Sequence, residues 1–332
     1  MDLAQALEQA NAYTLPGFLT TDAALTSERE KNEQAIALLM DEWWKAPLGK
    51  EPFPFSLVLG LADRNREVCD EYGTERLDGV AGTSLSRRLS DDDLVAGVAA
   101  LQHRSPEEVR RVAGPGLNDL GVAYVEAPVS GMICGIDLET TERYPDRGYI
   151  INVGMEFVRL APKGRAERGY AQYCGIPRMY EQKGVPLSRV HHITWADLKG
   201  KRPFRENRKL QEALLTALQT FPFMAHNAAF EDSWLMLNLD GYAEGRKAGR
   251  IIPIDTRDIC RRIDPDYRTL PHDSRPGALE NWARRRGTLK ADEKERHLGL
   301  EDVDLMFRTV EAEFAERNMF AEAGAKETKR GK

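Results

Sequence analysis

The chain has 332 residues, 42% of them hydrophobic and 30% charged, which is typical of a globular protein rather than a disordered one. Its longest largely apolar run, residues 55–62, is too short for a membrane span, which needs about 20 residues, and no signal segment opens the chain. The four Cys form no CxxC pair, which argues against a zinc ribbon and a disulfide framework. We therefore expect a soluble, cytoplasmic protein with no membrane partner.

The net charge of −6 is unevenly distributed. Residues 1–130 contain 12 Lys and Arg against 22 Asp and Glu, a net charge of −10, and residues 131–332 contain 35 against 31, a net charge of +4. A polyanionic ligand is therefore compatible with the second part of the chain and not with the first.

Residues 1–130 predict a mostly helical, acidic region. Apolar positions recur at helical spacing in residues 32–44 and 92–102, and Ser105 is a favourable N-cap for a helix starting at the next residue. We expect a helical extension packed against the rest of the chain. The alternative is a region that docks a partner or gates a substrate through an exposed aromatic surface around Trp43 and Trp44.

From residue 132 the pattern changes to strands, followed by strands alternating with helices. Three β-type runs predict an antiparallel meander at 132–140, 149–160 and 170–176. Further strands are predicted at 222–225 and 251–255, and helices at 206–220, 228–239, 277–286 and 300–317. This order predicts an α/β fold in residues 131–318, a mixed five-stranded sheet flanked by helices, followed by a flexible polar tail at 319–332.

Two acids lie near the end of the first predicted strand. Asp137 and Glu139 are two residues apart, so their side chains point to the same face of the sheet, at the edge where α/β proteins usually place their sites. Two acids on one face repel each other unless a cation joins them. An isolated pair of this kind is more often a solvated strand end.

A second acidic element follows the strand at 222–225. His226 and Asn227 come directly after it, with Asn227 as a natural N-cap, and Glu231 and Asp232 fall in the first turns of the next helix. Capping and the helix dipole would explain these residues without any function.

The third element is His297 in a loop and Asp302 five positions later, at the start of the last helix. In this order the elements resemble the histidine-bearing branch of the DEDD superfamily of 3′–5′ exonucleases, which includes the proofreading subunits of bacterial replicative polymerases. The resemblance rests on the DxE motif at 137–139, the HNAxF motif and following acid at 226–231, and the final His and Asp. One departure is Glu231, because the family usually has Asp there.

The resemblance implies a ribonuclease H-like fold and hydrolysis of phosphodiester bonds from the 3′ end of single-stranded nucleic acid, with DNA favoured. It also implies two Mg²⁺ or Mn²⁺ ions in each site, which suit hard oxygen ligands. His297 would be the general base. The metal ligands would be Asp137, Glu139, Asp302 and either Glu231 or Asp232.

Substrate contacts are expected beside these acids. The resemblance implies that the 3′-terminal nucleotide lies against Leu138, Thr140, His226, Asn227 and Phe230. The basic run Arg284, Arg285 and Arg286 is expected to form a solvated helix face, with phosphate binding as the alternative.

Two other functions stay open. One is an RNA-directed 3′–5′ exoribonuclease of the same fold, and the other is a non-catalytic nucleic-acid or protein-binding module. Residues 1–130 would provide the surface for a polymerase or another replication or repair protein, if such a partner exists.

Overall fold

A computed structural model provides the fold. It describes residues 1–12, 21–72, 85–87, 92, 95–96, 99, 105–113, 132–161, 164, 166–295 and 297–317. The predicted helix at 92–102 falls largely outside the described residues, and the predicted tail at 319–332 falls wholly outside them. Within the described ranges, no helix is both long and apolar enough to cross a lipid bilayer.

Five strands form one mixed sheet in the order β3-β2-β1-β4-β5. They are β1 (Ile133–Thr140), β2 (Ile150–Val158), β3 (Ala166–Tyr173), β4 (Phe223–Ala225) and β5 (Pro253–Asp255). β2 is antiparallel to both β1 and β3, whereas β4 is parallel to β1 and β5. The predicted mixed five-stranded sheet flanked by helices is therefore confirmed.

The bounds of the third strand were predicted wrongly. β3 begins at Ala166 rather than at residue 170 and ends at Tyr173. Its side chains are almost all exposed, because it is the edge strand of the sheet. An exposed edge strand has no alternation of apolar and polar residues, so its start leaves no hydrophobic signal in the sequence.

Helices lie on both faces of the sheet and before it. They are α1 (Leu3–Asn11), α2 (Asp22–Lys45), α3 (Phe55–Tyr72), α4 (Pro106–Ala113), α5 (Tyr180–Lys183), α6 (Ser188–His191), α7 (Trp195–Leu198), α8 (Arg208–Thr220), α9 (Ala229–Asn238), α10 (Tyr242–Lys247), α11 (Thr256–Ile263), α12 (Pro265–Thr269), α13 (Leu279–Arg285) and α14 (Gly299–Glu316). Ser105 caps α4 as predicted, since its hydroxyl accepts a hydrogen bond from the Glu108 amide at 3.2 Å.

Helix α3 was not predicted, although it contains the apolar run at 55–62. Its buried positions include Val58, Leu61, Ala62 and Asn65, which recur every three or four residues and form one helix face. This face belongs to a single hydrophobic cluster that also contains Ile136 of β1. The described N-terminal helices thus pack against the sheet and share its core.

Trp43 and Phe53, two of the aromatic residues of the N-terminal region, are buried. Trp43 is 8% exposed and packs edge-on against Phe53, with ring centroids 4.9 Å apart. The Lys247 ammonium of α10 lies 4.3 Å from the centroid of the Trp43 ring. The exposed aromatic surface that a docking role would need is therefore not found at Trp43.

Polar contacts join the N-terminal helices to the loop that follows β1. Arg66 of α3 is 2% exposed and donates hydrogen bonds to the carbonyl oxygens of Pro145 (2.7 Å) and Gly148 (2.8 Å). Arg147 of the same loop pairs with Glu33 of α2 at 2.7 Å. These contacts fix the loop, and Arg147 also lines the cleft described next.

Candidate active site

A cleft of about 1000 Å³ opens at the carboxyl ends of β1 and β4. The predicted site residues that line it are Asp137, Leu138, Glu139, Thr140, His226, Asn227, Phe230, Glu231, His297 and Asp302. Asp232 does not line it. The topology of the sheet therefore brings together residues that are far apart along the chain.

Three carboxylates converge at the centre of this cleft. On β1, Asp137 and Glu139 are half-buried, whereas Ile136 and Leu138 are buried. This alternation is expected because successive residues of a strand point to opposite faces of the sheet. Carboxylate oxygens of Asp137, Glu139 and Asp302 all lie within 4.8 Å of one another. This spacing would allow one cation to contact all three.

Glycine on β2 allows the last helix to approach. Gly154 pairs with Asp137 in the sheet, and a Cβ atom at this position would lie 2.2 Å from the carbonyl carbon of Gly299. Any other residue at 154 would push away the start of α14. Because α14 begins at Gly299, its first turn places Asp302 beside Asp137.

Burial and clustering raise the pKa values of two carboxyl groups in this cluster. Burial raises the pKa of Asp137 well above its usual range, and the charges of Asp302 and Glu295 raise it further. Burial, followed by the charges of Asp137 and Asp302, raises the pKa of Glu139 to about 9. A cation bound among these groups would remove that penalty.

His297 stands at the rim of the cluster. Its Nδ1 atom lies 3.9 Å from the Asp302 carboxylate, and its side chain is 41% exposed. The backbone of His297 adopts the left-handed conformation, with φ of 50°. The ring therefore faces both the carboxylates and the open cleft.

Glu295 was not predicted as a site residue. Ligand atoms of Glu295, His297 and Asp302 lie within 4.8 Å of one another, so they form a second group that could hold a cation. Burial and the charge of Asp302 raise the pKa of Glu295 to about 7. The sequence signal that could have identified Glu295 is its position two residues before His297.

The geometry distinguishes Glu231 from Asp232. Glu231 is 3% exposed and lines the cleft, and no group among the described residues hydrogen-bonds to its Oε2 atom. Asp232 is turned into the protein, where it pairs with Arg246 at 2.7 Å and accepts a hydrogen bond from Tyr242 at 2.8 Å. The alternative in which Asp232 supplies the metal ligand is not compatible with these contacts.

Substitution of each acid should therefore affect a different property. Asp232→Asn leaves the buried charge of Arg246 uncompensated, so it should lower the free energy of unfolding by about 3 kcal/mol. Glu231→Gln should change stability by less than about 1 kcal/mol and weaken Mn²⁺ binding at least about tenfold. Chemical denaturation and calorimetry measure the two effects, and the opposite pattern would reassign the ligand to Asp232.

His226 and Asn227 help to build the site. The Gly277 carbonyl lies 2.8 Å from His226 Nε2 and can only accept, so this nitrogen carries the proton, while Nδ1 faces the Thr256 hydroxyl at 3.1 Å. Asn227 is not the N-cap of α9, because Ala228 takes that position. Asn227 instead adopts the left-handed conformation, with φ of 76°.

Acid should destabilise the protein through His226. Burial lowers its pKa to about 4, and the charges of Arg257 and Arg261 lower it further. The unfolded chain binds a proton near the usual pKa of about 6.5, so stability is lost as the pH falls from that value toward the folded one. When the pH is lowered from about 7.5 to about 5, the free energy of unfolding should fall in both proteins. The fall should be about 1 to 2 kcal/mol smaller in His226→Gln than in the wild type, as measured by chemical denaturation. Equal losses in the two proteins would contradict this.

An apolar wall faces the carboxylates. Phe230 is half-buried and lines the cleft, whereas Leu138 is 3% exposed and belongs mainly to the core. Thr140 uses its hydroxyl to donate to the Glu142 carbonyl at 2.6 Å. Leu187 and Val190, which were not predicted, line the same cleft with 46% and 48% exposure.

Arg284 of the basic run pairs with Glu280 on the same helix, whereas Arg285 and Arg286 have neither of the two predicted roles. Arg285 pairs with the buried Asp264 at 2.6 Å. Arg286 pairs with Asp264 at 3.2 Å and with the buried Glu313 at 3.1 Å. These two side chains hold α13 to its neighbours rather than forming a solvated face or a phosphate track.

Among known proteins, solved structures match this chain, whereas family models and curated sequences do not. No family model matches the chain, and no curated protein matches it. One solved structure with a similar fold is the zinc-bound E. coli ExoI–ssDNA complex, at 14% identity and a TM-score of 0.43. The match covers 57% of this chain and 42% of that one, so the chain spans less than half the length of the matched structure.

Proposed function

We propose that the chain is a metal-dependent 3′–5′ exonuclease that hydrolyses phosphodiester bonds at the 3′ end of single-stranded nucleic acid, with DNA favoured. The observation that carries this proposal is the convergence of Asp137, Glu139 and Asp302 within 4.8 Å in an open cleft. A histidine at the edge of that cluster adds a group able to accept a proton.

The donor set fits hard divalent cations. Carboxylate oxygens suit Mg²⁺ and Mn²⁺, and none of the residues lining the cleft is a cysteine. The buried Oε2 atom of Glu231, which lacks a hydrogen-bond partner among the described residues, is a further oxygen available to a cation. When bound, two such ions would neutralise the charge that develops on the phosphate oxygens. Asp137, Glu139, Asp302 and Glu231 would hold them.

The remaining residues orient the reactants. His297 would accept the proton of the attacking water, because its ring is exposed to the cleft and next to Asp302. Leu187, Val190 and Phe230 would contact the terminal base, since apolar surface exposed beside a polar site favours a stacked ring. The neutral His226 would keep the end of β4 in place.

A non-catalytic binding module explains these features less well. Binding of nucleic acid requires basic and aromatic surface, whereas clustered carboxylates repel phosphate. A cleft that places several acids where a phosphate must lie is consistent with a cation between them.

The test uses single-stranded oligonucleotides labelled at the 5′ end, in matched deoxyribose and ribose versions. With Mn²⁺, the product should be a ladder that shortens from the 3′ end, faster for DNA, and a chelator should abolish it. The variant Asp137→Asn, purified in the same way, controls for contaminating nucleases. An absence of shortening with every divalent ion would refute the proposal, and faster shortening of RNA would reassign the substrate.

A further inference from the structure

A second pocket, of about 390 Å³, adjoins the cleft. His226, Asn227 and Glu295 line both cavities, and we call this shared boundary the seam. The second pocket is also lined by Arg257, Tyr267, His272 and Arg275, and we call it the arginine pocket. None of these four residues takes part in the site described so far.

The wall of the arginine pocket is fixed to the protein. Asn281 of α13 donates hydrogen bonds to the carbonyl oxygens of Ser274 and Arg275, at 3.0 and 3.1 Å. His226 donates to the carbonyl oxygen of Gly277 at 2.8 Å, which ties the same wall to the end of β4. The position of the pocket relative to the carboxylates is therefore set by the fold.

Glycine allows an aromatic ring to form one side of the pocket. A Cβ atom on Gly277 would lie 3.0 Å from Cε2 of Tyr267, so the Tyr267 ring packs directly against the Gly277 backbone. The ring is half-buried and lines the cavity. Such a surface can stack against a nucleobase of any sequence.

The cations of the pocket are placed to meet an anion. Arg257 donates to the Asn227 side chain at 3.1 Å, which holds its guanidinium at the seam with the cleft. Arg275 is exposed and also lines the pocket, and its left-handed backbone, with φ of 50°, departs from the usual conformation of a non-glycine residue. Unlike Arg285 and Arg286, neither is part of the ion-pair network around Asp264.

We propose that the arginine pocket binds the nucleotide that precedes the 3′-terminal one, with Arg257 and Arg275 at its phosphate and Tyr267 at its base. This inference rests on the proposed function. The carboxylates would act on the bond between the last two nucleotides, and the terminal one would occupy the side of Leu187 and Val190. The rest of the nucleic-acid strand must leave the cluster by another route, and the arginine pocket shares the seam with the cleft.

Glu295 is the acid on this seam, and its position shows which side of the seam faces the bound cations. Its carboxylate lies beside His297 and Asp302 and so belongs to the cation side. Arg257 and Arg275 line the arginine pocket and not the cleft. A strand crossing the seam would therefore place one phosphate against bound cations and the next against arginines.

The test compares two substrates in Arg275→Ala, which alters an exposed side chain. One substrate is a single-stranded oligonucleotide, and the other is the p-nitrophenyl ester of thymidine 5′-phosphate, which has no preceding nucleotide. The ratio of kcat/KM for the oligonucleotide to that for the ester should fall about tenfold, the loss expected for one charge-assisted phosphate contact. The exposed Arg268 of α12, which does not line the pocket, provides the matched control Arg268→Ala, and its ratio should equal that of the wild type.

A binding measurement separates this inference from the proposed function. Fluorescence anisotropy of a labelled oligonucleotide with Ca²⁺ in place of Mn²⁺ should show about tenfold weaker binding to Arg275→Ala than to Arg268→Ala. This difference would support the pocket even if the wild type hydrolysed neither substrate, a result that would refute the nuclease proposal alone. An unchanged ratio, or equal binding by the two variants, would overturn the arginine pocket. Tyr267→Leu should act in the same direction as Arg275→Ala.

Discussion

Replacing Asp137 by Asn should lower the rate of phosphodiester hydrolysis at least about 10³-fold, which corresponds to about 4 kcal/mol of transition-state stabilisation. Asp137 belongs to the carboxylate cluster, and its oxygen lies within 4.8 Å of those of Glu139 and Asp302. An amide keeps the shape of the side chain but removes the negative charge, so at least one cation site should be lost. Calorimetric titration with Mn²⁺ measures that loss independently of activity.

The matched control is Asp304→Asn on the same helix as Asp302. Asp304 pairs with Arg308 at the surface, at 2.7 Å, and does not line the cleft. It should keep wild-type activity and Mn²⁺ binding. The central role of Asp137 is refuted if Asp137→Asn keeps more than a tenth of the activity or binds as many ions as the wild type.

Replacing His297 by Ala should lower kcat about 10²- to 10³-fold, the contribution expected of a general base. Mn²⁺ binding should change little, because the three carboxylates of the central cluster are retained. The two substitutions therefore predict different pairs of results. Asp137→Asn should lose metal and turnover together, whereas His297→Ala should lose turnover alone.

His192→Ala is the control for this second experiment. His192 is exposed and lies outside the cleft, although it follows a helix that contributes to the wall. Its replacement should leave kcat within about twofold of the wild type, as is usual for surface substitutions. Wild-type turnover in His297→Ala would end the assignment of the base, and a loss of Mn²⁺ binding would make His297 a ligand instead.

The elements that the sequence predicted well are those with a strong periodic signal. β1 and β2 are buried on both faces and rich in Ile and Val, and α14 has an apolar face. The convergence of Asp137 with Asp302 depends instead on contacts between distant segments. Gly154 on β2 permits that approach, and a single glycine in a strand does not reveal its neighbour from the sequence alone.

Local patterns could not distinguish neighbouring acids. Glu231 and Asp232 share the first turn of α9, where the helix dipole favours both. Their roles separate because Arg246, on another helix, lies on the side of Asp232. The roles of Arg285 and Arg286 were missed for the same reason. Their acidic partners lie on other segments, and nothing in the sequence near the basic run indicates them.

The anchorage of the loop after β1 has a consequence for how this molecule folds. Two of its carbonyl oxygens have their hydrogen bonds from Arg66, and its Asp146 accepts one from Asn65 at 3.0 Å. Residues 131–318, if separated from the leading helices, would present these groups and the apolar surface next to them to solvent. The five-stranded sheet and the described leading helices are therefore expected to fold as one unit, because each covers polar and apolar groups of the other.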